Sequence, residues 1–312
     1  MNFSTMDYFV ALAEERSFTR AAERLAVTQQ TLSAHIAGVE RELGVRLVNR
    51  HVPLTLTYAG QVFLGYARRF QAERRVMDQE FADIAGDARG LLAIGTAATR
   101  GHTLLPRALE VFRTIKPQVN VMLQEDENRG LLERLREGRV DMVVASVPPG
   151  TPGLTVRELY QERIVLIAHD DLLREVFGSD EESARAVAEV ERSGSLAPLA
   201  QCPFMLLGEG DEPGDLSRAL LRRSDVNPWV RVLSTNTETL IDLAARGEGA
   251  CFTPQVLIPT MLGSDAPEGM RVIDLGPEAY IPIHVAWRAE RHVWSVIEAF
   301  AGVLEELYGS RA

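Results

Sequence analysis

The chain contains little that would tie it to a membrane, a metal or an oxidising compartment. Its two cysteines, Cys202 and Cys251, are too few for a disulfide framework or a metal-ligand cluster. Two semi-buried thiols in a reducing cytoplasm account for them. The longest apolar runs, such as residues 164–168, fall far short of a bilayer span. The opening MNFSTMDYFVALAEERSF has no basic segment and carries Glu14 and Glu15, so no secretory signal is expected. Catalytic motifs are missing too. There is no GxGxxG or P-loop, and none of the six histidines pairs with a Ser or Cys in a recognisable motif. Lysine is nearly absent, Lys116 being the only one, so arginine supplies the basic charge.

What is present is an ordinary globular composition, 46% hydrophobic and 25% charged, in a chain of 312 residues, long enough for more than one domain. The net charge of -11 argues at first against nucleic acid. Its distribution reverses that reading. Residues 1–90 hold 11 Arg against 11 acids and are neutral, whereas the whole excess of acid lies beyond them. Residues 16–58 hold six Arg and three Glu, a basic tip on an acidic body, which suits contact with DNA at one end.

The segment from Phe18 to Arg50 carries that tip. Ser17 is a candidate cap for a first helix, and Thr28 for a second over about Gln29 to Leu43, which Gly44 stops. Leu32, Ile36, Val39 and Leu43 form its expected core face. The opposite face, Gln30, Ala34, Ala37 and Arg41 flanked by Thr31, Ser33 and Gly38, is small and polar. Such a face can approach a groove closely and hydrogen-bond base edges; packing on a protein neighbour is the alternative. Alternating apolar residues around Arg50 and His51 predict a two-stranded wing. Arg50 is placed either beside phosphate or in an ion pair with the second helix. The candidate DNA-contacting residues are Thr28, Gln29, Gln30, Thr31, Ser33, Ala34, His35, Arg50 and His51.

Phe3 to Tyr66 resembles the winged helix-turn-helix of LysR-type transcriptional regulators. The matching residues include Phe9, Ala13, Ser17-Phe18-Thr19, Ala21-Ala22, Leu25, Gln29, Leu32-Ser33, Ile36, Glu40, Leu43-Gly44, Leu47, Arg50, Leu56-Thr57 and Ala59-Gly60. Gln30, Ala34 and Val48 depart from the family's commoner residues, which leaves the fold intact and the DNA preference open.

From Thr57 to about Ala85 a long helix is predicted. Phe63, Ala67, Phe70, Arg74, Met77, Phe81 and Ile84 recur in steps of four and three, a heptad seam that needs a partner helix. A second copy of the chain is the favoured partner, and packing on the chain's own domain the alternative. The resemblance implies a dimerising linker helix and a homotetramer. Gly86, Asp87 and Gly90 mark a hinge.

Beyond Leu91, short apolar runs alternate with helical stretches, as in parallel sheets with crossover helices. Strands are expected at 91–95, 119–124, 140–145, 163–167, 204–207, 230–234, 250–253, 272–275 and 283–287. Residues 170–199 are expected to be a long connecting segment with a solvated Asp180-Glu181-Glu182 face. The layout resembles the family's effector domain, similar to type 2 periplasmic-binding proteins. The expected fold is therefore α/β, with an all-α-rich winged helix-turn-helix over 1–58, a linker helix over 59–89 and a two-lobed domain over 90–312. Lobe 1 comprises 90–168 and 270–312, and lobe 2 comprises 169–269. Ligands of open α/β sheets bind beyond strand ends, which selects Thr96, Thr99, Arg100, Asn128, Ser146, Gly208, Thr235, Asn236 and Thr253 as candidate effector contacts. Helix N-termini there favour an anion, with Arg100 or Arg129 as counter-charge; helix capping is the alternative role of each Thr and Asn.

The expected function is a cytoplasmic regulator that binds an interrupted palindrome in double-stranded DNA and answers to a small, anionic effector. It would pair with itself, with RNA polymerase a candidate further partner and no cofactor, metal or membrane. An enzyme on the α/β scaffold and a transport-type solute receptor are the competing classes.

Overall fold

The computed structural model describes residues 3–51, 53–86, 89–265 and 267–309; Asp87 of the expected hinge lies outside them. The N-terminal module contains helices α1 (Phe3–Glu15), α2 (Phe18–Arg24) and α3 (Gln29–Leu43), and the two-residue strands β1 (Val48–Asn49) and β2 (Thr55–Leu56). Ser17 and Thr28 cap α2 and α3 by accepting from the Arg20 and Thr31 amides, and Gly44 ends α3 at φ 69. The core is Phe9, Leu12, Ala21, Leu32, Ile36 and Leu47, all essentially inaccessible. Leu43, expected in that core, is 42% exposed. The turn after it at Gly44 carries the chain away and Leu47 fills the core instead.

Helix α4 (Tyr58–Ile84) follows directly, capped by Thr57. Its first half belongs to the module. Phe63 stacks edge-on against Phe9 at 4.9 Å and is 8% exposed, and Ala67 is 1% exposed. Its second half lies along the C-terminal domain. Gln79 donates to the buried Asp141 carboxylate at 3.2 Å, which also accepts from the Ala93 amide at 2.8 Å. Burial pushes the Asp141 carboxyl up, against that amide, Arg75, Gln79 and Arg288. Gly138, at φ 69, has no room for a Cβ because Ala72 of α4 already occupies that space.

The C-terminal domain is one nine-stranded mixed sheet bent into two lobes. Lobe 1 runs through β3 (Gly90–Thr96), α5 (Ala98–Thr103), α6 (Leu105–Ile115), β4 (Val119–Glu125), α7 (Asn128–Arg136) and β5 (Met142–Ala145). The 16-residue β6 (Leu154–His169) then crosses to lobe 2. There α8 (Asp170–Phe177), α9 (Asp180–Ser193), β7 (Pro203–Leu207), α10 (Glu212–Arg223), β8 (Trp229–Ser234), α11 (Thr237–Ala245), β9 (Ala250–Pro254), α12 (Leu257–Leu262) and β10 (Met270–Asp274) follow. The chain returns through β11 (Tyr280–Arg288) and ends in α13 (Ser295–Tyr308).

The strand order is β4-β3-β5-β11-β6-β9-β7-β8, with β10 paired to β6. The pairs β3–β4, β3–β5, β7–β8 and β7–β9 are parallel, whereas every pair involving β6 or β11 is antiparallel. Residues 154–163 of β6 pair with β11, and 164–169 pair with β9 and β10. The lobe boundaries expected at 168/169 and 269/270 therefore move. The crossing falls near Arg163, and β10 belongs to lobe 2. Residues 170–199, expected to be mainly a connecting segment, hold α8 and α9, the latter capped by Ser179.

One helix cap is supplied from far along the chain. Trp294, at the N-cap of α13, provides no side-chain bond. Asp83 near the end of α4 accepts there instead, from the Ser295 amide at 2.9 Å and the Ser295 hydroxyl at 2.6 Å, with His292 Nε2 at 2.9 Å. Burial opposes ionisation of Asp83, but these bonds outweigh it and its pKa falls below the ordinary value.

Two outcomes follow. Phe63→Ala should lower unfolding free energy by about 3 kcal/mol, the cost of an emptied aromatic site, read by urea denaturation. A carboxylate with a lowered pKa stabilises the fold fully above its ordinary pKa of 3.8 and loses that contribution as pH falls through the lowered value. Asp83→Ala should thus melt earlier than wild type at neutral pH and converge with it in strong acid, read by calorimetry.

Candidate nucleic-acid interface and effector cleft

Along α3 the inward residues Leu32, Ile36 and Val39 are buried, and Gln29, Gln30, Thr31, Ala34 and Arg41 are exposed. Thr28 is exposed at the cap, and its hydroxyl lies 2.8 Å from that of Thr31. Ser33 is half-buried beside this face. His35 departs from the expected set. Its ring meets Tyr8 edge-on at 4.9 Å and its Nδ1 lies 3.3 Å from the Thr5 hydroxyl, so it packs α3 onto α1.

The wing pairs Val48 with Leu56 and Asn49 with Thr55, and His51 is exposed in its turn. Arg50 takes the ion-pair placement: its Nη2 lies 3.4 Å from Glu40 Oε2 and its guanidinium sits 5.6 Å from the Phe18 ring centre. Glu40 also accepts from the Leu47 and Val48 amides, at 2.8 and 3.3 Å. It fastens the wing to α3, a role that only its place one turn before Gly44 could have signalled.

The expected α4 seam divides. Phe63 and Ala67 are engaged inside the module, because helix α1 covers that stretch. Phe70, Met77, Phe81 and Ile84 stay exposed, the last two at 64% and 74%. Tyr58, Val62 and Tyr66, absent from the expected seam, are exposed as well.

Between the lobes lies a cleft of about 290 Å³. Of the nine candidate effector contacts, Thr99, Arg100, Asn128, Thr235 and Asn236 line it. Thr96 and Thr253 do not: both are fully buried, and their hydroxyls donate to the Val144 and Pro254 carbonyls at 3.2 and 3.3 Å. Gly208 gives its carbonyl to Arg218 at 3.1 Å. Ser146 stands behind the wall, bonded to Glu212 through its side chain and to Asn128 Nδ2 through its carbonyl at 2.8 Å. Asn236 is the cap of α11, accepting from the Thr239 amide at 2.9 Å.

Arg100 is not a waiting counter-charge. It is buried, with Nε 3.2 Å and Nη2 2.9 Å from the two oxygens of Glu162, whose Oε1 also accepts from Tyr160 at 2.9 Å. Glu212 Oε2 adds a third contact at 3.7 Å. Burial works against the charge on Arg100, yet Glu162 outweighs it and the pKa rises. Arg129 is 90% exposed, pairs with Glu133 and does not line the cleft.

Among the described residues the lining holds seven carboxylates, Glu125, Asp126, Glu127, Glu162, Asp211, Glu212 and Glu238, against Arg100 as its one basic side chain. Burial pushes the Asp211 and Glu212 carboxyls up. Arg100 is therefore engaged within the fold and Arg129 stands outside the cleft, so neither expected counter-charge is free there. The acidic residues were missed although Glu125-Asp126-Glu127 and Asp211-Glu212 are visible runs. They stand at strand-to-helix junctions, where such residues are ordinarily caps.

The family model described as LysR substrate binding domain matches residues 85–308, and that of the bacterial regulatory helix-turn-helix protein, lysR family, matches residues 3–61. The chain belongs to the LysR family of bacterial transcriptional regulators. Similar proteins include the HTH-type transcriptional regulator TfdS of Cupriavidus pinatubonensis, 27% identical over 100% of both chains. The DNA-binding transcriptional dual regulator OxyR of Escherichia coli is 28% identical over 83% of this chain and 81% of that one. In fold the chain is similar to full-length CbnR solved with its target DNA, with a TM-score of 0.67 at 24% identity over 98% of this chain and 99% of that one. It is thus a DNA-binding regulator with an effector-binding domain, and its relatives are regulators rather than enzymes. Among the described residues no helix is long and apolar enough to cross a membrane.

Both cysteines are buried; burial pushes the Cys202 thiol up to about 12 and the Cys251 thiol higher still. Thiolate, not thiol, is the reactive form. Native protein should therefore resist a thiol reagent such as DTNB at pH 8, and two thiols per chain should react once it is unfolded. Rapid labelling of either in the native state would contradict this burial.

Proposed function

We propose that the chain binds an interrupted palindrome as a dimer in the cytoplasm, with α3 in the major groove of each half-site and a small molecule in the interlobe cleft as its signal. The observation that carries this reading is the outer face of α3. It is exposed, short in side chain and polar in a locally basic segment, while the opposite face makes the core. Gln29, Gln30, Thr31 and Ser33 supply base-edge or phosphate contacts, and Ala34 allows close approach. The Thr28-capped N-terminus of α3 favours a phosphate.

Two-fold protein symmetry matches a two-fold site. The exposed Phe70, Met77, Phe81 and Ile84 suit a helix-to-helix dimer contact. Assembly of two dimers into a tetramer, and contact with RNA polymerase, belong to the same proposal. Effector binding would act by biasing lobe closure, relayed through the α4 contacts at Asp83 and Asp141. Some relatives carry the name hydrogen peroxide-inducible genes activator; the buried, high-pKa thiols here favour a bound small molecule over a thiol reaction.

Gel shift on the DNA upstream of the chain's own coding region tests this. Binding should weaken steeply with salt, and footprinting should show two protected half-sites. Gln30→Ala should cost about 1–3 kcal/mol in binding. Phe70→Asp should weaken binding at least as much while turning the protein monomeric in sedimentation. Binding that is absent or insensitive to salt would refute the DNA reading, and a monomer with undiminished affinity would refute the dimer.

A further inference from the structure

We infer that Glu40 is a positioning residue for DNA recognition: it sets the wing at a fixed offset from α3 and aims the Arg50 guanidinium at a phosphate beside the groove that α3 enters. The inference rests on the reading above that α3 lies in the major groove.

The wing cannot place itself. Its strands pair over two residues each, and a hairpin that short is marginal on its own. The chain between α3 and β1 is instead gathered onto one residue. The Glu40 carbonyl accepts from the Gly44 and Val45 amides, the latter at 3.1 Å, and Glu40 Oε1 accepts from the Leu47 and Val48 amides at 2.8 and 3.3 Å. Carbonyls of the same stretch are held by the start of α4. The Thr57 hydroxyl donates to the Arg46 carbonyl at 2.7 Å, and the Thr57 amide donates to the Leu47 carbonyl at 3.0 Å. No Cβ fits on Gly60, because that Leu47 carbonyl fills the space. Leu47 and Val48 are buried, so leaving their amides without the carboxylate is costly.

The other oxygen of Glu40 has a separate role. Glu40 is 14% exposed and Arg50 49%, so Oε2 orients the guanidinium without covering it. The Phe18 ring at the start of α2 steadies the same group, with its centre 5.6 Å away. A planar guanidinium with one carboxylate oxygen engaged still has N–H groups to give to a phosphate. A bare carboxylate would repel DNA. This one is offset by two amides and an arginine, so it can order the wing beside a polyanion.

The test uses full-length protein on the DNA upstream of its own coding region. Gel shift over a range of salt gives affinity, dimethyl sulfate reads guanine N7 in the major groove, and hydroxyl radical reads the backbone. Glu40→Ala should keep the guanine protection, lose the backbone protection flanking it, and bind at least about tenfold more weakly. Its plot of log affinity against log salt should be shallower by about 0.9 for each wing phosphate lost. Glu40→Gln still offers an oxygen to both amides and should regain the flanking protection. Arg50→Ala should flatten the wild-type plot by the same amount and change nothing further in Glu40→Ala, where Arg50 is no longer aimed. Unchanged binding by Glu40→Ala, or loss of both protections together at an unchanged salt slope, overturns the inference. So does Glu40→Gln that binds no better than Glu40→Ala, or Arg50→Ala that costs as much in Glu40→Ala as in wild type. Wild type with backbone but no guanine protection overturns the major-groove reading itself; flanking protection lost in Glu40→Ala and regained in Glu40→Gln would then still support the role of Glu40.

Discussion

The ion pair between Arg100 and Glu162 is the constraint on which the cleft depends. Both groups are buried where α5 of lobe 1 meets the crossing strand β6. Charges in such a place are tolerated only when paired and hydrogen-bonded, and losing one partner leaves the other uncompensated at a cost of about 3–5 kcal/mol. Tyr160 completes the shell of Glu162, and Glu212 reaches Arg100 from lobe 2. The pair thus holds the floor of the cleft, touches both lobes, and removes the lining's single positive charge from the service of any ligand. The sign of the cavity follows from a requirement of folding.

Helix α4 shows a related division of labour. Its first turns complete the DNA-binding module through Phe63 and Ala67, and Gln79 and Asp83 join it to lobe 1. The face left over carries large apolar side chains at 45% to 74% exposure. An apolar stripe of that length is unusual on a surface that meets only water. The same helix therefore contacts both the DNA-binding module and the C-terminal domain and leaves a third, apolar face uncovered.

Much of the architecture was legible in the sequence, for identifiable reasons. The caps Ser17 and Thr28, the stop at Gly44 and the α3 core positions are local signals, and each appears where expected except Leu43. The strand-helix alternation of the two lobes was equally readable. What failed depended on distance or on charge. The first half of β6 was missed because Arg157, Glu158, Gln161 and Glu162 interrupt its apolar pattern. In the fold Arg157 lies 4.7 Å from the Trp287 ring centre and pairs with Glu298 at 3.0 Å, which makes charge compatible with that strand. Helix α9 was hidden in an acidic run read only as a solvated face, although Ser179 followed by Asp180-Glu181-Glu182 is also how a helix begins. In the cleft, Thr and Asn were given weight as ligand contacts and the acids were not, because nothing local shows that carboxylates of two lobes share one cavity.

The cap that Asp83 lends to α13 makes the linker part of the effector domain in a thermodynamic sense. A fragment beginning at residue 90 would expose the Ser295 amide and deprive Asp141 of Gln79. Such a piece would be a different receptor, with its last helix frayed at the start and a buried acid short of a donor. The boundary of the domain therefore lies within α4 and not at its end, since Gln79 and Asp83 complete hydrogen bonds of the C-terminal part.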